Sequence, residues 1–152
     1  MRKITIVLLT AFAVLFVPGI AQAAVVFHSG PTFTDLGTTL NVTGNVSGLG
    51  TQDLTVTLYA PGTAAVTCSN PAGQVAPGQR TSTSTSGAQS GIEVKNGRAT
   101  FNVTTAEPAS PNPAVVCPNR KWTATITDVV FSSATLTLTQ GGQVVFSRTF
   151  AL

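Results

Sequence analysis

Aliphatic and hydroxyl side chains take turns along most of this chain. A repeat of two commits a polypeptide to strands, because successive side chains of an extended backbone leave on opposite sides. In "TLNVTGNV", Leu40, Val42 and Val46 fall on one face, with Thr39, Asn41, Thr43 and Asn45 on the other. The same split places Leu54, Val56 and Leu58 opposite Thr55, Thr57 and Tyr59, and Ala99, Phe101 and Val103 opposite Arg98, Thr100 and Asn102. It recurs in "WTATIT" with Trp122, Ala124 and Ile126, and in "TLTLT" with Leu136 and Leu138. Threonine is β-branched and suits the wet side of a half-buried strand. From residue 24 onward there are 23 threonines but only five acids and six bases, so the polar faces are built from hydroxyls rather than charge. No helical stripe of comparable length interrupts them.

Turn residues divide these runs. Asn96-Gly97 and Gly141-Gly142 each suit a two-residue hairpin, since both positions of such a turn need positive φ. Pro61-Gly62 fits the centre of a type II turn between "LYA" and "TAAVTC". Asp128 falls between two apolar runs and reads as a strand divider. Val144, Phe146 and Phe150 share a face with Arg148, which predicts a bulge or strand end there. "TSTSTS" (Thr81 to Ser86) lacks an apolar face and reads as an edge strand or an ordered loop. Eight or nine short strands joined by turns predict an all-β domain, an antiparallel two-sheet sandwich of immunoglobulin-like type. A jelly roll or a small barrel is the alternative. Trp122 follows both cysteines, so the Cys…Trp…Cys order of true immunoglobulin domains is missing.

The first 23 residues read as a cleaved export signal. Arg2 and Lys3 precede an apolar run from Ile4 to Val17, and Pro18-Gly19 and the small-x-small triplet Ala21-Gln22-Ala23 follow it. That run is short for a bilayer span. Residues 24–152 then form one domain of 129 residues with no second long apolar segment, destined for the periplasm or the medium. Loss of Arg2 and Lys3 lowers the formal charge from +3 to +1, too little basicity to neutralise many phosphates, so nucleic acid is not an expected partner.

Two cysteines in an exported chain usually pair, and Cys68 and Cys117 both stand at strand margins. A disulfide between them closes a loop of about 50 residues. The flanking segments Ser69–Gln79 and Thr105–Asn119 hold six prolines, which stiffen loops that carry few ladder bonds. No Cys-x-x-Cys pair is present, and zinc would need two further ligands from one histidine and scattered acids, so neither a metal nor a cofactor is expected. His28 reads as a surface residue near a flexible terminus. There is no Gly-x-Ser-x-Gly elbow and no glycine-rich phosphate loop. Trp122 reads as core, and Tyr59 as an exposed ring.

The expected role is therefore that of a non-catalytic structural or binding module with a protein or glycan partner. Its surface centres on the cysteine-tied loops, with Arg80, Asn119, Arg120 and Lys121 as polar contacts. The alternatives are an envelope-polysaccharide hydrolase using two of Asp35, Asp53, Glu93, Glu107 and Asp128, or homo-assembly through a "TSTSTS" edge. The segments "TCSNPAGQVAPGQ" and "CPNRKWTATITDVV" resemble those of an uncharacterised group of small secreted bacterial β-sandwich proteins. The resemblance spans nearly all of residues 24–152. It implies a bacterial source, export and a single β-domain, and it implies no activity.

Overall fold

The computed structural model of the protein describes residues 24–152, and the export signal read over residues 1–23 lies outside them. The strands are β1 (Val26–Asp35), β2 (Leu40–Ser47), β3 (Leu54–Ser69), β4 (Val75–Pro77), β5 (Thr81–Ile92), β6 (Arg98–Thr104), β7 (Thr123–Phe131), β8 (Ser133–Gln140) and β9 (Gln143–Ala151). One short helix, α1 (Pro113–Val116), precedes β7. The strands form two antiparallel sheets. One has the order β1-β2-β6; the other runs β4-β3-β8-β9, with β5 and β7 also paired to β3. Their inward faces meet over Leu40, Val42, Val46, Leu54, Val56, Leu58, Phe101, Val103, Leu136 and Leu138, all buried. This is the two-sheet sandwich that the half-buried alternation predicts. Burial strictly alternates along β6 and β8, so the threonine faces do stand outside the core.

β3 is the spine of the larger sheet. At 16 residues it is about 50 Å long, too long for a single neighbour on either flank. On one flank β8 pairs with Leu54–Tyr59 and β7 with Gly62–Ser69. On the other, β5 pairs with Leu54–Ala64 and β4 with Thr67–Ser69. The expected turn at Pro61-Gly62 does not form, and the chain runs straight through both residues. The reason is non-local. β7 ends at Phe131 and β8 begins at Ser133, so the ladder breaks opposite Pro61, where a missing N–H goes unnoticed. The Pro61 carbonyl still accepts bonds from the Ser132 N–H (3.1 Å) and hydroxyl (3.3 Å). Gly62 is needed because a Cβ there would lie 2.6 Å from the Val130 carbonyl oxygen. Asp128 is no divider either. It lies within β7, opposite Ala65, beside a break in register at Thr127, and the division of the two strands falls at Ser132.

Of the two expected hairpins, the one at Gly141-Gly142 joins paired strands. Asn96-Gly97 gives the turn without the hairpin, because Lys95 and Arg98 meet only in an isolated bridge and β5 and β6 belong to different sheets. Asn96 (φ 52°) and Gly97 (φ 71°) form a primed turn between Lys95 and Arg98, whose backbones exchange bonds of 2.9 and 3.0 Å. Replacing Gly97 with alanine places a Cβ in the left-handed region. It should lower stability by about 1 kcal/mol, read from the urea midpoint, whereas Asn96→Gly should leave that midpoint nearly unchanged. Gly141 (φ 54°) and Gly142 (φ 78°) turn β8 into β9. The irregularity in β9 falls at Val145 rather than at Arg148. Val145 and Phe146 both pack on the core, and Val144 is left exposed. The Arg148 guanidinium lies over the Phe150 ring at 5.2 Å. His28 belongs to β1, within a strand rather than on a flexible end, and is exposed.

Candidate functional site

The smaller sheet covers only part of β3. Beyond Ala64 the inward face still presents Val66 and Cys68, and a second apolar cluster forms there from Val66, Cys68, Val116 and Ala124. Half-buried Trp122 and Ile126 pack against it. The lid over this cluster is the segment from Thr105 to Cys117, an arch that takes the place of the missing sheet.

Local chemistry at each end fixes the arch. Where it leaves β6, the Thr105 N–H donates to the Leu40 carbonyl (2.9 Å), and the Thr105 hydroxyl accepts from the Leu40 N–H (3.0 Å). The Ala106 N–H then donates to the Ser86 carbonyl at 2.8 Å. Pro108 and Pro111 restrict the span that follows. Asn112 caps α1, its Oδ1 accepting from the Ala114 N–H at 3.0 Å, and Pro113 occupies the first helical position, where no N–H is required. At the far end the Val116 carbonyl accepts from the Gln79 N–H at 2.8 Å. Cys117 is bonded to Cys68. The disulfide therefore forms as expected, and it ties the arch to the end of β3.

Between the arch and β5 lies a cavity of about 260 Å³, lined by Thr81, Thr83, Asn112, Val115, Val116 and Ile126 among others. Thr85, the next residue on the same face of β5, is buried, and its hydroxyl has no hydrogen-bond partner among the described residues. A larger cleft, about 740 Å³, opens at the opposite end of β3. Its floor is the loop Gly48–Gln52, held by the buried Gln140. The Gln140 side-chain oxygen accepts from the Gly50 N–H (3.0 Å), and its amide donates to the Gln52 carbonyl (2.6 Å). Among the described residues both openings are lined by hydroxyls, amides and aliphatics, without an ionisable side chain.

Of the residues expected to form a surface, Arg80 stands on the β4–β5 flank of β3. Asn119, Arg120 and Lys121 form the turn that leads into β7 on the other flank. All four are exposed. The turn is ordered by the Asn119 side chain, which accepts from the Lys121 N–H at 2.9 Å, and no hydrogen bond or ion pair among the described residues joins it to Arg80. The cavity residues Thr81 and Thr83, and the buried Thr85 beside them, escape notice in the sequence because "TSTSTS" has no apolar face. The usable signal was its internal split, threonines on one side and serines on the other, since only the threonines turn inward.

The acids lie apart along the chain. Glu93 pairs with Lys95 at 3.2 Å in solvent, and the Asp35 carboxylate accepts from the Gly37 N–H at 2.8 Å. Among the described residues no group of three or more His, Cys, Asp or Glu side chains gathers as a metal site. Among them, too, no helix is long and apolar enough to cross a membrane. Tyr59 is 47% exposed on the outer threonine face, opposite Thr135, as expected of the free ring. The chain matches no protein-family model, no curated protein and no solved structure.

Proposed function

We propose that the protein is an exported, non-catalytic binding module whose recognition surface is the disulfide-tied arch and the loops around it. The arch carries this reading. A segment rich in proline is held at both ends by backbone bonds and by Cys68–Cys117, over a cavity, on a two-sheet scaffold. Loops stiffened on a rigid frame lose little entropy on binding, which is why they serve recognition. A closed disulfide fits an oxidising compartment, and with the export signal it favours the periplasm or the medium. The order β1-β2-β6 against β5-β3-β8-β9 also supports an immunoglobulin-like assignment. It parallels the ABED/CFG arrangement with the fourth strand moved to the other sheet, β4 and β7 being additional to that pattern.

The test is site-specific photocrosslinking in the producing cells. A crosslinking residue in place of exposed Val115, on the arch, should capture a partner, and one in place of exposed Val144, at the far end, should not. Joint replacement of Arg80, Asn119, Arg120 and Lys121 by alanine should weaken capture at Val115 by about tenfold or more. Equal capture at both positions, or no effect of the four substitutions, overturns the assignment.

A further inference from the structure

We propose that β5 and the arch together form a slot for an extended, uncharged peptide strand of a partner protein, which adds to the sheet at Ser82 and Ser84 and lowers one side chain into the cavity beneath the arch. This names the ligand class for the binding module above and rests on that reading.

The backbone of β5 supplies the first observation. The Ser86 carbonyl accepts from Ala106, so its peptide groups point away from β3. Antiparallel ladders alternate, so the N–H and C=O groups of Ser84 and Ser82 point the same way, and among the described residues β5 pairs with no other strand than β3. Independent bonds agree on this parity. The Val66 carbonyl faces the β4 flank, where it accepts from Gly78, and the Pro61 carbonyl faces the other flank, toward Ser132. Beyond Ser86 the edge is shut, because Gly87 lies against the Thr104 backbone. The open stretch is thus Thr81–Thr85, long enough for a short added strand.

The second observation is that this edge is undefended. Sheet edges normally carry a charge, a proline or a bulge against unwanted pairing. β1 has Pro31, Asp35 and two register breaks, β7 has Asp128 beside its break, and β9 has Arg148 and a break at Val145. Thr81–Thr85 has none of these. The third is the cavity itself, which opens beside those residues and has room for one aliphatic or amide side chain. Its lining offers no charge to pair with an ionised side chain, which would lose its solvation there. The unpartnered Thr85 hydroxyl adds a polar group on the same face. Main-chain bonds for affinity and a side-chain pocket for selection are the two parts of strand-addition recognition.

The probe is a blocked heptapeptide of alternating threonine and valine, titrated into the oxidised protein covering residues 24–152 and followed by NMR and calorimetry. Binding should slow hydrogen exchange at the Ser82 and Ser84 amides. N-methylation of alternate peptide residues, or lysine in place of the valines, should weaken it by about tenfold or more. Ser84→Pro removes an outward N–H, which an edge position tolerates, and should cause a similar loss, as should Val115→Arg at the exposed mouth. No protection at Ser82 and Ser84, or affinity unaffected by N-methylation and by Ser84→Pro, overturns the inference. Concentration-dependent dimers in sedimentation that Ser84→Pro abolishes would overturn it in favour of a second copy of this chain. If Val115 still captures its partner in cells while Ser84→Pro has no effect there, strand addition fails and the binding-module reading stands.

Discussion

Reduction of the Cys68–Cys117 bond, or replacement of both cysteines by alanine, should lower the melting temperature by roughly 10–15 °C. The bond spans 49 residues of sequence, and in the chain-entropy model a loop of that size is worth about 4 kcal/mol. A small domain has only about 5–15 kcal/mol of net stability, so the loss is large but leaves the protein folded. The damage should also be uneven. The main core between the sheets has no share in the bond, whereas Cys68 and Val116 belong to the distal cluster that the arch covers. Hydrogen exchange in the reduced protein should therefore speed up first at the Gln79 and Ala106 amides, which anchor the arch, while β2 and β8 keep their protection. An unchanged melting temperature on reduction would mean that the arch is held by its backbone bonds and prolines alone.

The same contrast between local and distant causes explains what the sequence disclosed. The faces of β2, β6 and β8 were legible because alternation is a property of each segment by itself. The primed turn at Asn96-Gly97 was legible because positive φ is a demand of the residue. Pairing of Cys68 with Cys117 needed only the count of thiols and the reading of residues 1–23 as an export signal. Pro61-Gly62 misled because the local preference for a turn is opposed by a feature 71 residues beyond Pro61, the gap at Ser132 that makes a proline harmless in mid-strand. Asp128 misled similarly, since a charged residue is tolerated inside β7 on an exposed side beside a register break. The site was half legible. Proline density and the cysteines pointed to the arch, but the cavity depends on the inward turn of Thr81 and Thr83 beneath Asn112 and Val115, which no short window of sequence contains.

Substitutions at Gly44 and Phe101 should each destabilise the protein, and together they should cost less than their sum. Gly44 sits mid-strand in β2, where glycine is otherwise unfavourable, directly opposite Phe101 on β6. The phenylalanine ring lies over it, so that a Cβ on residue 44 would come 2.5 Å from the ring carbon Cζ. The ring is 2% exposed and meets Phe27 edge-on with centroids 6.4 Å apart, so it has no free space to retreat into. Phe101→Ala should remove about 3–5 kcal/mol, from lost burial and the cavity left behind. Gly44→Ala should remove about 1–3 kcal/mol by overpacking. In the double variant the new methyl group points into the space that the ring has vacated, so its penalty largely disappears. A double-mutant cycle from urea unfolding should return a coupling of about 1 kcal/mol or more in the compensating direction. Strict additivity would show that the ring does not rest on Gly44, and that the glycine is there for the backbone of β2 instead.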